Sequence, residues 1–101
     1  MATFTLKILN PKHVVFEGDV TSVFLPGDMA EFELLAFHAP IVSMLKEGHV
    51  VIDWKRRIPI TKGMVRFYGN ECVILVEEPT VRREAARAGA GAAADDGAAG
   101  R

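Results

Sequence analysis

The first 79 residues of the chain are patterned as short β-strands separated by turn residues. Phe4, Leu6 and Ile8 alternate with polar positions, and this period of two is typical of a strand with one buried face. Pro, Gly, Asn and Asp interrupt such runs roughly every 8–12 residues, which is the spacing of a β-sandwich or barrel. No segment keeps the apolar period of a helix over several turns. Strands are therefore predicted over residues 3–8, 13–17, 20–25, 31–35, 41–45, 49–54, 57–61, 64–68 and 72–77.

Two of these predicted strands are apolar at consecutive positions, residues 14–16 and 73–76. Strands in which apolar and polar residues alternate have one face exposed to solvent. Continuous apolar runs instead lie between two layers or under a partner protein. The predicted fold class is therefore all-β, as a two-layer β-sandwich of short strands. The pattern leaves open whether Leu6, Ile8, Val14 and Phe16 belong to the core or to a partner interface.

The composition changes near residue 80, which sets a predicted boundary between a β-sandwich domain, residues 1–80, and a tail, residues 81–101. Residues 85–100 contain nine Ala, four Gly, two Asp and one Arg, and no large apolar side chain. Such a segment cannot bury enough apolar surface to offset the entropy of ordering it. We therefore expect a flexible, disordered Ala/Gly-rich tail with at most one frayed helical turn over residues 81–87.

Charge and cysteine usage narrow the classes of function. The formal net charge is −1, which does not fit the strongly basic surface of a nucleic-acid-binding protein. The single cysteine, Cys72, lies in an apolar run, so we expect a buried core residue in a reducing compartment. We find no secretory signal and no apolar window of about 18 residues, so membrane association is expected only through a partner. The one longer basic run, residues 55–57, is interpreted as the charged tip of a hairpin with its turn at residues 55–56.

Catalytic and metal-binding patterns are absent from the sequence. The three histidines have no paired metal-ligand spacing, and no glycine-rich phosphate-binding loop occurs. The serines lie outside any nucleophile-elbow motif, and the acidic cluster lacks the spacing of a calcium loop. The chain is therefore predicted to be non-catalytic, with no cofactor, metal or nucleotide site. The residues considered are His13, His38, His49, Ser22 and Ser43, and the acidic Asp28, Glu31 and Glu33.

Several stretches taken together resemble a known family. They are residues 15–20, residues 23–27 ending in Pro26-Gly27, the pair Glu31-Phe32, the triplet His38-Ala39-Pro40, residues 46–48 and residues 63–76. In this order and spacing they resemble the N-terminal domain of the epsilon subunit of F-type ATP synthases, the subunit called delta in mitochondria. The resemblance covers residues 3–78, and its most specific part is the His-Ala-Pro triplet at its distance after Pro-Gly.

The resemblance implies a β-sandwich with a mechanical function. The chain is expected to be a rotor subunit of the central stalk, which links the gamma subunit to the c-ring and couples ion flow to ATP synthesis. It is expected to lie peripherally on the cytoplasmic face of the bacterial inner membrane, as part of the ATP synthase complex. The resemblance also implies that Asp28, Glu31, Phe32 and His38 contact the c-ring, whereas the residues that face gamma are not assigned.

The chain departs from the family pattern at several positions. Ala30 and Glu33 stand where the family has Gly, and Ala36-Phe37 stands where it has Pro-Gly. Glycine is kept where φ is positive or where the backbone packs closely, so the loop over residues 28–37 is expected to bend differently. The tail lacks the length and periodicity of the C-terminal helical hairpin of many members. We therefore expect a short form without helix-borne inhibition.

Two other classes of function remain open at this point. A free-standing β-sandwich that binds a small ligand or a peptide is compatible with the composition. An enzyme ranks third, because no nucleophile, base or metal cluster supports it. Neither class accounts for the combined spacing of Pro-Gly, Glu-Phe and His-Ala-Pro. Co-elution with a gamma-type subunit would separate the stalk subunit from both.

Overall fold

The computed structural model describes residues 2–79, and these residues form β-strands without a helix. The strands are β1 (Phe4–Leu9), β2 (Val14–Val20), β3 (Ser22–Leu25), β4 (Phe32–Leu35), β5 (Ile41–Leu45), β6 (Gly48–Ile52), β7 (Arg56–Ile60), β8 (Lys62–Tyr68) and β9 (Glu71–Glu77). They form two sheets that enclose one apolar core, so the predicted all-β, two-layer sandwich is confirmed. The predicted tail, residues 81–101, lies outside the described residues.

The two sheets differ in width. The five-stranded sheet has the order β2-β1-β9-β8-β5, and the four-stranded sheet has the order β4-β3-β6-β7. Paired strands are antiparallel except β1 and β9, the first and last strands, which pair in parallel. This parallel pair lies in the interior of the five-stranded sheet and joins the two ends of the domain.

The core is made of the alternate side chains that each strand turns inward. In β1, Phe4, Leu6 and Ile8 are buried, while the residues between them are partly exposed. Phe4 packs edge-to-face on Phe67, with ring centroids 5.4 Å apart. Cys72 is buried, which confirms its predicted place in the core, and burial raises the pKa of its thiol to about 12. The thiol is therefore protonated and unreactive at neutral pH.

The structure shows whether each of the four residues that the sequence pattern left unassigned lies in the core or on the surface. Leu6 and Ile8 are fully buried in the core. Phe16 is half-buried against the core, and the guanidinium of Arg56 lies 5.5 Å from the centre of its ring. Val14 is 50% exposed and belongs to the outer surface. The apolar run in β2 is therefore shared between core and surface.

Two of the predicted breaks between strands are misplaced. Gly18 and Asp19 do not end β2, which continues to Val20 because both residues pair in register with β1. The break falls instead at Thr21. The predicted turn at residues 55–56 is also wrong, because β7 already begins at Arg56.

The turn between β6 and β7 comprises residues 53–55, and it is held from outside the hairpin. The Asp53 carboxylate accepts hydrogen bonds from the N–H and hydroxyl of Thr21, at 2.8 and 2.9 Å, and from the Ser22 N–H at 3.0 Å. Burial alone would raise the pKa of Asp53, but these hydrogen bonds and the charge of Lys55 outweigh it and keep the pKa below its usual value. Asp53 and Trp54 have φ of 52° and 63°, left-handed values that are typical of tight hairpin turns.

The connections between strands lie at two opposite ends of the sandwich. The Pro26 end comprises residues 10–13, 26–31, 46–47 and 61, together with the end of β9. The Asn70 end comprises residues 21, 36–40, 53–55 and 69–70, together with the start of β1. Strand β4 runs from the first end to the second and spans about 10 Å. Segments on either side of β4 are therefore close in sequence but separated in space.

Candidate functional site

Three of the four residues predicted to contact the c-ring lie together at the Pro26 end. Asp28 and Glu31 are exposed in the loop over residues 26–31, and Phe32 is the first residue of β4. Phe32 is half-buried and packs against the core, so only part of its side chain faces outward. Met29 is 94% exposed, so the tip of the loop presents an apolar side chain between two carboxylates.

The loop over residues 26–31 is braced against the opposite sheet. The N–H of Asp28 donates a hydrogen bond to the carbonyl of Met44 at 3.0 Å, and the N–H of Lys46 donates to the carbonyl of Pro26 at 2.9 Å. An isolated β-bridge at Gly27 adds a further link to β5. Because the loop leaves the four-stranded sheet and bonds to the five-stranded one, its position is fixed relative to both layers.

Gly27 is needed because the backbone and a ring approach it closely. A Cβ at Gly27 would lie 2.7 Å from the Phe32 ring and would also overlap the carbonyl oxygen of Ala30. Backbone cannot move aside as a flexible side chain can. The glycine of the Pro-Gly pair therefore lets the loop fold back over Phe32 and present Asp28 and Glu31 to the outside.

His38, the fourth predicted contact, lies at the Asn70 end. Its Nδ1 is 2.6 Å from the carbonyl oxygen of Ala39, and its ring meets the Phe67 ring edge-to-face, with centroids 5.8 Å apart. The side-chain oxygen of Asn70 fixes this loop by accepting a hydrogen bond from the Phe37 N–H at 2.7 Å. Because β4 runs between the two ends, the structure does not bring His38 to the other three residues.

Two carboxylates and one methionine are the large exposed groups of the loop over residues 26–31. Within residues 2–79, no group of three or more His, Cys, Asp or Glu side chains is placed to hold a metal ion. The described part of the chain also contains no helix that is long and apolar enough to cross a membrane. A braced loop with exposed carboxylates can form polar contacts with another protein, and it holds them in a fixed geometry.

Comparison with known proteins decides the family. A family model described as "ATP synthase, Delta/Epsilon chain, beta-sandwich domain" matches residues 3–80. The chain belongs to this family. The match includes every strand of the described sandwich and both of its ends, and it confirms the resemblance found in the sequence.

Curated relatives of this delta/epsilon chain are named as epsilon chains. The ATP synthase epsilon chain of Nitratiruptor sp. is 40% identical over 81 residues, which are 76% of this chain and 63% of the relative. The ATP synthase epsilon chain of Chlorobaculum tepidum is 35% identical over 79 residues, which are 74% of this chain and 90% of the relative. The chain therefore spans less than two thirds of the first relative and most of the second.

Solved structures share the fold of this delta/epsilon domain. A chain of the Tetrahymena thermophila mitochondrial ATP synthase central stalk and c-ring superposes with a TM-score of 0.64 at 15% identity, over 79% of this chain and 67% of that chain. A chain of the Euglena gracilis mitochondrial ATP synthase gives a TM-score of 0.70 at 17% identity, over 87% of this chain and 62% of that one. At such low identity, the similarity establishes the β-sandwich fold alone.

One departure from the delta/epsilon pattern leaves the backbone strained. Phe37 stands where the pattern has Gly, and its φ is 65°. A residue with a Cβ loses about 1–2 kcal/mol in this left-handed region. Phe37 is also 75% exposed, so burial of its ring gives little in return.

Phe37→Gly should therefore stabilise the domain by about 0.5–1 kcal/mol, because relief of the strain exceeds the extra entropy that glycine brings to the unfolded chain. The measurement is the free energy of unfolding in urea. Phe37→Ala is the matched control, since it removes the ring but keeps the Cβ, and it should give no gain. An equal change in both variants would show that the backbone strain is not the cause.

Sequence reasoning singled out the apolar runs over residues 14–16 and 73–76 as core or partner surface, but it missed other exposed apolar side chains on the outer face of the five-stranded sheet. Met44 and Met64, for example, are 57% and 37% exposed at outward positions of β5 and β8. The signal in the sequence was that apolar residues occupy both the inward and the outward positions of a strand. It was not specific, because methionine fills core positions as readily as interface positions.

Proposed function

We propose that this chain is a non-catalytic subunit of the central stalk of an F-type ATP synthase. It links the gamma subunit to the c-ring and couples ion flow to ATP synthesis. Membership of the delta/epsilon family supports the complex, and the braced loop over residues 26–31 supports the coupling role. A close-packed sandwich transmits strain instead of absorbing it, so a loop fixed to both layers can pass torque from a ring to an axle.

The ring contact is assigned to Asp28, Glu31 and Phe32. All three lie at the Pro26 end, where the two carboxylates are exposed for polar contacts with the loops of the c subunits. His38 lies at the Asn70 end and is left out of the ring contact in this proposal. Its role is to organise the loop over residues 36–40 through its contact with the Phe67 ring.

The complex places the chain at a membrane without inserting it. In this proposal the chain lies peripherally on the cytoplasmic face of the bacterial inner membrane, held by the gamma subunit and the c-ring. Its bacterial relatives named as epsilon chains support this location. The role is mechanical, so the chain needs no cofactor and no nucleic-acid partner.

Glu31→Lys should weaken attachment of the stalk to the c-ring by about 1–3 kcal/mol, because the exposed carboxylate loses its polar complementarity with the ring loops. The measurement is the amount of c-ring that co-purifies with the stalk from membranes, at low salt. Low salt is used because, at 0.1 M ionic strength, the interaction between exposed charges is largely screened beyond about 10 Å.

Glu71→Lys is the matched control for this charge reversal. Glu71 is an exposed carboxylate at the Asn70 end, so its reversal should leave recovery of the ring unchanged. Unchanged recovery with Glu31→Lys would count against the ring contact at the Pro26 end. Failure of the unmodified chain to elute with its gamma subunit would refute the stalk function itself.

A further inference from the structure

A row of four side chains crosses the outer face of the four-stranded sheet. It takes one residue from each strand, and the four are neighbours in register: Glu33 pairs with Phe24, Phe24 with Val51, and Val51 with Arg57. Each of the four lies next to a buried core residue along its strand, so their side chains point outward. These core residues are Val23, Leu25, Leu34, Val50, Ile52 and Ile58. With strands about 4.8 Å apart, the row is about 14 Å wide.

The row carries opposite charges at its two ends. Glu33 lies on β4 and Arg57 on β7, the two edge strands of this sheet, and the half-buried Phe24 and Val51 lie between them. The Ser22 hydroxyl donates a hydrogen bond to the Glu33 carboxylate at 2.6 Å, which holds this carboxylate in place. Within residues 2–79, no salt bridge involves Glu33 or Arg57. Both charges are therefore available to a partner.

An exposed tryptophan stands beside the row. Trp54, the single Trp of the chain, is 65% exposed, and its ring lies edge-to-face on Phe24 with centroids 5.6 Å apart. Its φ of 63° is strained for a residue with a Cβ, and the Asp53 carboxylate holds the turn in this form. With Phe24 and Val51, the Trp54 ring lines a groove of about 400 Å³. A large aromatic side chain held in water beside an apolar strip indicates a surface that a partner covers.

The order of charges along the row makes it complementary to a second copy of itself. A two-fold axis parallel to the strands, midway between two such faces, lays the row of one copy over that of the other in reverse order. Glu33 of each copy then faces Arg57 of the other. Each Phe24 faces a Val51 in the same way. Every contact occurs twice, as in an isologous dimer, and the strands of the two faces stay aligned, as they do in packed sheets.

We infer that the outer face of the four-stranded sheet is the contact surface of a two-fold symmetric dimer of this chain, with Glu33 and Arg57 paired across it. The same rotation brings Trp54 towards Leu35 of the second copy, a residue that is 52% exposed at the Asn70 end of β4. This contact is a property of the chain alone and goes beyond the proposed function.

The size of the surface sets the strength of the dimer. The row is about 14 Å wide and the five residues of β6 span about 16 Å, so the face covers about 220 Å² of sheet. Stable complexes bury roughly 800 Å² per partner. The dimer is therefore weak, with a dissociation constant on the order of 10–100 µM.

The test is sedimentation equilibrium of the full chain between about 5 and 500 µM, a range that brackets this dissociation constant. Arg57→Glu and Glu33→Arg should each weaken the dimer at least about 10-fold, because each substitution places like charges opposite one another at two contacts. Arg66→Glu is the matched control, since Arg66 is exposed on the outer face of the five-stranded sheet. It should leave the dissociation constant within about two-fold of that of the unmodified chain.

Mixing the two single-site variants tests the symmetry itself. In the row, Arg57→Glu chains carry two carboxylates and Glu33→Arg chains carry two guanidinium groups, so a mixed pair has opposite charges at both contacts. An equimolar mixture should therefore form a heterodimer with a dissociation constant within about three-fold of the unmodified dimer, although each variant associates poorly by itself. Circular dichroism confirms that both variants are folded before they are mixed.

Trp54 gives an independent readout because it is the only Trp in the chain. Its fluorescence emission should shift to shorter wavelengths as the unmodified chain is concentrated, since the second copy covers its ring. Arg57→Glu should remove this shift, and Arg66→Glu should keep it.

Each result supports or overturns the dimer. An unmodified chain that stays monomeric over the whole concentration range overturns it, and so does equal association by Arg57→Glu. A mixture of variants that does not recover association overturns the two-fold pairing. Loss of the dimer in Arg66→Glu alone places the contact on the five-stranded sheet and overturns the assignment as well. None of these results bears on the stalk function, which is tested by elution with the gamma subunit.

Discussion

Phe67→Ala should lower the free energy of unfolding by about 3–5 kcal/mol, the largest loss we expect from a single substitution in this domain. The Phe67 side chain is fully buried in β8 and packs edge-to-face against the Phe4 ring at 5.4 Å. Its removal leaves a cavity in the core, and the surrounding close-packed side chains can only partly collapse into it. Domains of this size have only about 5–15 kcal/mol in total, so the variant should be largely unfolded on mild warming.

The measurement is urea denaturation followed by far-ultraviolet circular dichroism. Phe67→Leu is the control, because it keeps most of the apolar volume and should cost roughly 1–2 kcal/mol. A loss below about 1 kcal/mol for the alanine variant would mean that the core repacks around the missing ring. The His38 ring also rests on Phe67, so the loop over residues 36–40 should become more mobile in the same variant.

Gly27→Ala should destabilise the domain by about 1–3 kcal/mol and also displace the loop that carries Asp28 and Glu31. The added methyl group would lie 2.7 Å from the Phe32 ring and would overlap a backbone oxygen, so the loop must move outward. Such a shift would break the hydrogen bonds that brace the loop against β5. In the proposed function, recovery of the c-ring should fall along with stability.

Gly18→Ala is the control for this prediction. A Cβ at Gly18 would meet the Phe16 ring at 3.6 Å, which is an ordinary van der Waals contact. Gly18 lies within β2, where alanine reduces the entropy lost on folding, so this variant should be neutral or slightly more stable. The crowded glycine and the uncrowded one should therefore give opposite results, and similar losses at both would contradict the argument from close approach.

The sandwich itself was predictable because its strands obey a local rule. Alternation in β1 puts Phe4, Leu6 and Ile8 on one face of the strand, and the structure buries all three. The turn at residues 53–55 was not predictable, because the groups that hold the Asp53 carboxylate belong to Thr21 and Ser22. Hydrogen bonds between segments so far apart leave no trace in the local pattern.

The arrangement of the candidate site was likewise predictable from sequence only in part. The resemblance named Asp28, Glu31 and Phe32 together, and they lie close to one another because one short loop and the strand after it carry them. The resemblance also grouped His38 with them, but β4 carries the chain to the opposite end before His38 is reached. The exposed apolar side chains on the outer face of the five-stranded sheet are harder to find from sequence. Met44 and Met64, for example, lie on β5 and β8 and become neighbours only when these strands are paired in register.

The parallel pairing of β1 with β9 sets the order of events during synthesis. Leu6 pairs with Cys72, so the middle of the wider sheet stays open until almost the whole domain has left the ribosome. At about 5–20 residues per second, the first strand waits roughly 3–13 s for its neighbour. During that time, β1 can pair only with β2, and its other edge is open to any extended segment in the cell. The nascent chain is therefore most exposed to aggregation, and to chaperones, just before its last strand emerges.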